Sequence, residues 1–140
     1  GVKGRLQTRP GLRGAMIIDD TYNANPDSVL AAIKVLAQRH GRKFMVLGDM
    51  GELGAFAREA HAEIGTAARR SHLDLLFTLG NQSRETVQAF GDGATHFTDP
   101  EALVAAVLRE LDEDVTVLVK GSRFMQMERI VERLVGRGAH

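Results

Sequence analysis

The chain has 140 residues, a length that suits one domain built around a single hydrophobic core. Its 44% hydrophobic and 26% charged residues exclude a disordered or fibrous protein. The formal net charge of +0 leaves no overall field to attract nucleic acid, and no apolar run approaches the roughly 20 residues of a membrane span, so we expect a soluble protein.

Short β-branched runs alternate along the chain with longer stretches of helical period, which predicts βαβ units and a mostly parallel sheet. We expect residues 5–9 to pair antiparallel, as an edge, with a first strand at 15–19. A helix over 26–38 follows, with Asn25 as its cap and Pro26 in its first turn. The later elements are predicted as strands at 43–47, 73–79, 94–97 and 115–120 and as helices at 56–70, 83–90, from Pro100 onward, and 124–135.

Right-handed crossovers between such strands place helices on both faces of the sheet. The predicted fold class is therefore α/β, a single doubly wound domain with about five βα units. In a sheet of this kind, ligands bind in the crevice outside the carboxyl ends of the strands.

Three loops that follow predicted strands are rich in polar residues: "DDTYNANP", "GDMGELG" and "KGSR". Parallel strands deliver their tails to one edge, so we expect these loops to meet. Carboxylates accept from ribose hydroxyls, amides both donate and accept, and Lys and Arg bind phosphate or carboxylate, which favours a polar, phosphate-bearing ligand. The candidate residues are Asp19, Asp20, Asn23, Asn25, Asp49, Glu52, Lys120, Ser122 and Arg123.

Each candidate also has a structural interpretation. Asn25 is as well placed to cap a helix as to contact a ligand, and Glu52 reads as a solvated loop carboxylate. The glycines around Asp49 do not have the spacing of a dinucleotide fingerprint. His61 is typical of a surface position or of a core histidine with satisfied hydrogen bonds, and Met127 is typical of core packing.

Metal chemistry is not expected in this chain. With no cysteine there are no thiolate ligands, nucleophiles or disulfides, which fits a reducing compartment. The histidines lack ligand spacing; they are His40, His61, His72, His96 and His140.

A signalling receiver domain is an alternative for the same fold, because an acidic pair ends the first strand and Lys120 ends the last. A receiver needs a phosphoacceptor Asp at the end of the third strand, where this chain has Gly80 and Asn81. Asp74 lies at the start of that strand, on the opposite edge. A nucleotide-binding or interaction domain without catalytic function is a third alternative.

At "DDTYNANPDS", "LGDMGELG" and "VLVKGSRFMQME" the sequence resembles the C-terminal domain of the Mur ligases, from about Gly4 to the last helix. The resemblance implies a Rossmann-like fold and ATP-dependent amide formation through an acyl phosphate. Among these enzymes, "YNANP" with "KGSR" is typical of the member that adds D-alanyl-D-alanine to UDP-N-acetylmuramoyl-tripeptide in peptidoglycan synthesis.

The resemblance also implies roles for individual residues. It places four near ATP: Arg5, Asp20, Asn23 and Asn25. It places three near the incoming dipeptide and the transferred phosphate: Lys120, Ser122 and Arg123. Asp49 and Glu52 belong to a motif typical of this member and are assigned to the edge of the cleft.

The chain contains no G-x-x-x-x-G-K-[ST] motif and no GK dipeptide. In the Mur ligases that loop and the Mg²⁺ ligands belong to a central domain, and an N-terminal domain binds the UDP-sugar. We therefore expect residues 1–140 to be the C-terminal domain of a longer cytoplasmic bacterial enzyme, packed against its central domain and inactive alone. The start at Gly1, without an initiator Met or signal peptide, fits a piece of a longer protein.

Overall fold

The computed structural model describes residues 2–136, which form a six-stranded sheet with helices on both faces. The strands are β1 (Gln7–Pro10), β2 (Met16–Asp20), β3 (Arg42–Gly48), β4 (Leu75–Leu79), β5 (Ala94–Phe97) and β6 (Val115–Lys120). The helices are α1 (Pro26–Ala37), α2 (Ala57–Arg70), α3 (Arg84–Phe90), α4 (Pro100–Glu110) and α5 (Glu128–Leu134). The predicted doubly wound α/β class is confirmed; His140 lies outside the described residues.

The strand order is β1-β2-β6-β3-β4-β5, and β1 pairs antiparallel with β2 while the other pairs are parallel. The predicted antiparallel edge is therefore confirmed. It lies slightly later than expected, because the chain at Arg5 and Leu6 turns, with Leu6 at a φ of 47°. The last strand, β6, lies between β2 and β3 and creates a topological switch point there.

Two apolar layers cover the sheet. On one face, Ile18 and Leu118 pack with helices α1 and α2 and with Phe90 of α3. On the other face, Ile17 and Val117 pack with α4 and α5. Every residue of β6 is buried, as expected for a central parallel strand covered on both sides.

The first helix begins as its sequence predicts. The Asn25 side chain accepts from the Ser28 N–H at 2.8 Å, and Ser28 Oγ accepts from the Asn25 N–H at 3.0 Å, which forms a capping box. Pro26 occupies the first turn, where a missing N–H costs nothing. The capping interpretation of Asn25 is thus confirmed.

The predicted helix over 124–135 is wrong at its start. A 3-10 turn covers Arg123–Met125, Gln126 adopts left-handed backbone angles (φ 50°, ψ 49°), and α5 begins at Glu128. This break allows Met127 to be fully buried against the backbone of Gly48 and Gly121, which a side chain on either glycine would obstruct. No α-helix therefore starts at Phe124. The strand predicted from residue 73 also begins later, at Leu75, because the Leu73 N–H closes the end of α2.

Candidate functional site

The tails of β2, β6 and β3 meet at one edge of the sheet, as the sequence predicts. Lys120 stands opposite Asp20 on one side and opposite Leu47 on the other. The chain leaves β2 and β3 toward α1 and α2, whereas it leaves β6 toward α5 on the opposite face. The three polar loops therefore surround the switch point, the position where open α/β sheets hold ligands.

Asp20 and Lys120 form a buried ion pair at this edge. Lys120 Nζ lies 2.9 Å from Asp20 Oδ2, and the two side chains are 2% and 10% exposed. The same ammonium group donates to the Asn23 carbonyl at 2.8 Å, and Asp20 Oδ1 accepts from the Leu6 N–H at 3.2 Å. The pair thus fixes the loop after β2 and the turn before β1 to the end of β6.

Ser122 joins the three loops by hydrogen bonds. Its hydroxyl accepts from the Gly51 N–H at 2.7 Å and donates to the Ala24 carbonyl at 3.2 Å. Its backbone N–H donates to the Asp49 carbonyl at 3.2 Å. Because Ser122 is buried, its contacts hold the loops in place and leave little of the side chain open to a ligand.

Asp49, predicted at the edge of the cleft, is buried and points into the loop after β4. Its carboxylate accepts backbone N–H bonds from Asn81 (2.8 Å), Gln82 (3.1 Å) and Ser83 (2.9 Å). Burial alone would raise the pKa of Asp49, but these donors outweigh it and hold the pKa below its usual value. Gly80 makes the arrangement feasible, since a Cβ there would overlap the carboxylate.

Arg123 is an exposed cation at the site. Its Nη1 donates to the Thr21 carbonyl at 3.2 Å, and its side chain is 55% exposed. It lies between two grooves, each of which it helps to line. One, of about 820 Å³, is bordered by Tyr22 and the start of α5, and the other, of about 520 Å³, by Asn23, Asn25, Glu52, Leu53, Ser122 and Phe124.

Tyr22, in the loop "DDTYNANP", is a site residue for which no role was predicted. Its ring lies 4.2 Å from the Arg5 guanidinium carbon and 5.9 Å from that of Arg123. Arg5 also borders a pocket of about 370 Å³ with Asp20, Asn23, Asn25 and Lys120. The signal for Tyr22 was an aromatic residue in an otherwise polar loop, 42% exposed in the folded chain.

The remaining candidates are less central. Glu52 is exposed, with a left-handed φ of 61°, and borders the 520 Å³ groove. Buried His61 accepts the Met50 N–H at 3.0 Å and lies 2.7 Å from the Ala57 carbonyl, to which its other ring nitrogen donates, so it is a satisfied core histidine. The Asn23 side-chain oxygen accepts from the Ala24 N–H at 2.8 Å, and the rest of the side chain is exposed.

The receiver alternative does not fit this geometry. β4 ends at Leu79, and Gly80 and Asn81 follow it, while Asp74 lies at the other edge and accepts the Lys43 N–H. Within residues 2–136, no three His, Asp or Glu side chains are grouped to hold a metal ion. Among the same residues, none of the helices has the length and apolar character needed to cross a bilayer.

Fold and site together define a doubly wound, Rossmann-like α/β domain with a polar rim at its topological switch point. Residues 4–123 match the model of the "Mur ligase, glutamate ligase domain" family, and the chain belongs to this family. The resemblance stated from the sequence is thereby confirmed.

Three known proteins illustrate the likeness. The chain is 39% identical over 139 residues to the UDP-N-acetylmuramoyl-tripeptide–D-alanyl-D-alanine ligase of Escherichia coli (strain K12), covering 98% of this chain and 30% of that enzyme. It superposes on a MurF ligase from Thermotoga maritima in complex with ADP with a TM-score of 0.86 at 30% identity, covering 96% of this chain and 31% of the other. It superposes on MurF from Acinetobacter baumannii with a TM-score of 0.87 at 32% identity, covering 98% of this chain and 31% of the other. The chain thus spans about a third of the length of these relatives.

Proposed function

We propose that the chain is the C-terminal domain of an ATP-dependent ligase that adds D-alanyl-D-alanine to UDP-N-acetylmuramoyl-tripeptide in the bacterial cytoplasm. The observation that carries the proposal is the meeting of the three polar loops around Arg123 and the Asp20–Lys120 pair, in a chain that aligns over nearly its whole length with such ligases. ATP supplies the phosphoryl group that activates the tripeptide carboxylate. The other domains supply the phosphate-binding loop, the Mg²⁺ ligands and the UDP-sugar site.

On the nucleotide side, we assign ATP contacts to Arg5, Asn23 and Asn25, with Asp20 behind them. This assignment is supported by the exposed Arg5 guanidinium, which borders the 370 Å³ pocket. The guanidinium is suited to binding a phosphate or the edge of a ribose. Because Asp20 is paired with Lys120, its main effect on ATP is to hold the loop that carries Asn23 and Asn25.

On the acceptor side, we assign the 520 Å³ groove to D-alanyl-D-alanine. Arg123 has the planar fork that binds a carboxylate with two parallel hydrogen bonds, and Glu52 supplies an opposite charge for the dipeptide ammonium group. Leu53 and the exposed ring of Phe124 offer apolar surface to the methyl groups. Lys120 and Ser122 hold the walls of this groove. Closure of the domain on the central domain would bring the amine to the acyl phosphate and exclude water.

The test is a full-length ligase that carries this chain as its C-terminal part, assayed by ADP release. We expect turnover with D-alanyl-D-alanine and little with single D-amino acids. Arg123→Ala should raise the KM for the dipeptide at least tenfold while the KM for ATP changes little, because a lost charge-assisted bidentate contact costs about 1.5–3 kcal/mol. Arg58→Ala, on the exposed face of α2, is the matched control. Unchanged dipeptide kinetics in Arg123→Ala would refute the acceptor assignment.

A further inference from the structure

The guanidinium group of Arg123 is already held by a carboxylate of its own chain. Nη2 donates to Glu128 Oε1 at 3.2 Å, and Nη1 reaches Glu128 Oε2 at 3.4 Å. Two nitrogens facing two oxygens is the geometry in which arginine binds any carboxylate. The site that the proposed function assigns to the carboxylate of the acceptor is therefore engaged by Glu128.

The backbone between the two residues creates this contact. In a continuous helix, residues five apart do not face each other, since neighbours on a helix surface are three or four apart. The left-handed backbone at Gln126 separates the turn Arg123–Met125 from α5 and brings Glu128 back beside Arg123. The contact is thus a consequence of the same break that buries Met127.

Arg123 contacts Glu128 and also borders the groove assigned to the acceptor carboxylate. Glu128 borders the 820 Å³ groove and not the 520 Å³ groove, whereas Arg123 borders both. A carboxylate in the 520 Å³ groove competes with Glu128 for the same donors. The competition is feasible because the ion pair is exposed, with side chains 55% and 40% accessible, and exposed pairs contribute little free energy.

We propose that Glu128 is an internal competitor for the acceptor carboxylate, a residue that lowers the affinity for that carboxylate by holding Arg123 toward α5 until the ligand displaces it. The proposal rests on the proposed function for the identity of that ligand. Glu128 therefore weakens the binding of a ligand that carries a carboxylate, because that ligand must displace it, whereas a ligand without a carboxylate leaves the Arg123–Glu128 pair in place.

The test uses the 140-residue chain with ¹⁵N-labelled arginine side chains, titrated with D-alanyl-D-alanine and followed at the Arg123 Nε–H signal. Glu128→Gln should lower the dipeptide Kd about two- to fivefold, the range that the strength of exposed ion pairs implies. The matched control is Glu132→Gln, which removes the same charge one turn later on α5, where Glu132 pairs with Arg9 at 2.8 Å. It should bind as the unchanged chain does. D-alanyl-D-alaninamide, which lacks the carboxylate, should show no difference between the two variants.

Equal or weaker dipeptide binding in Glu128→Gln than in Glu132→Gln would overturn the proposal. If the dipeptide moves the Arg123 signal in none of these chains, the acceptor assignment under the proposed function has failed, and sodium acetate then decides the role of Glu128. Tighter acetate binding at Arg123 in Glu128→Gln than in Glu132→Gln supports competition by Glu128, and equal binding refutes it.

Discussion

Lys120 and Asp20 end neighbouring parallel strands directly opposite each other, and their charged groups meet at 2.9 Å with almost no exposure to water. A buried ion pair is costly to desolvate and is retained only when both charges are satisfied. Here the remaining hydrogen bonds go to the Asn23 carbonyl and the Leu6 N–H, so the pair links three segments of the chain.

Removing one member of this pair should destabilise the chain severely. Lys120→Met leaves the Asp20 carboxylate buried without its cation, and we expect a loss of about 3–5 kcal/mol in the free energy of unfolding. Urea unfolding followed by circular dichroism measures it. Arg58→Met, which breaks an exposed pair with Glu85, should cost less than about 1 kcal/mol. The double variant Asp20→Leu with Lys120→Met should lose much less free energy of unfolding than the sum of the losses measured for Asp20→Leu and Lys120→Met separately. Simple additivity would contradict a coupled pair.

Asp49 should make stability depend on pH. Its pKa in the folded chain lies below 3.8, so its contribution to stability is complete above that value and is lost as pH falls through the folded pKa. Asp49→Asn should lower the free energy of unfolding by about 1.5–3 kcal/mol at neutral pH. The hydrogen bonds from the backbone N–H groups to a charged acceptor become weaker, and the NH₂ group of the new side chain faces N–H donors instead of accepting from them. The gap between the two chains should narrow below pH 3.8.

The control for this pH series is Asp74→Asn. Asp74 is exposed and its side chain accepts one backbone N–H, from Lys43. Its replacement should change stability by less than about 1 kcal/mol at neutral pH. A difference between Asp49→Asn and the unchanged chain that stays constant down to acid pH would show that the Asp49 charge contributes nothing.

Gly80 should tolerate no side chain. Its φ of 126° is outside the range that other residues adopt, and a Cβ would overlap the Asp49 carboxylate. We expect Gly80→Ala to cost about 2–4 kcal/mol, since backbone strain and a lost hydrogen-bond network act together. Gly54→Ala is the comparison, because Gly54 has a left-handed φ of 55° but open space around its Cβ position. It should cost about 1 kcal/mol. Equal thermal unfolding temperatures for Gly80→Ala and Gly54→Ala would argue against an overlap between the Cβ at position 80 and the Asp49 carboxylate.

Tyr22 should affect both sides of the proposed site. Tyr22→Leu removes the ring that faces Arg5 and Arg123, and each cation–π contact at an exposed site is worth about 0.5–1 kcal/mol. In the full-length ligase, the KM values for ATP and for the dipeptide should each rise about two- to fivefold. Tyr22→Phe keeps the ring and should behave as the unchanged enzyme. A rise in the KM of only one of the two substrates would mean that the Tyr22 ring positions only one of the two arginines.

Much of the architecture followed from local patterns. Alternating apolar runs and helical periods predicted the parallel sheet, and Asn25 with Pro26 predicted the start of α1, because capping and first-turn preferences depend on neighbouring residues alone. The common edge for Asp20, Leu47 and Lys120 also followed, since parallel strands must end on the same side. These features depend on chain periodicity and on the handedness of crossovers.

The use of each polar side chain was decided only by the tertiary structure. Asp49, Lys120 and Ser122 look like ligand groups in the sequence, and in the fold they also form hydrogen bonds to loops distant in the chain. Conversely, the contact of Arg123 with Glu128 depends on a left-handed residue at Gln126 that no helical pattern predicts, and its contact with Tyr22 depends on the approach of two loops distant in the chain. Residue type and spacing determine which groups reach the rim of a sheet. Whether a group there remains open to a ligand depends on hydrogen bonds between distant segments, which exist only once the chain has folded.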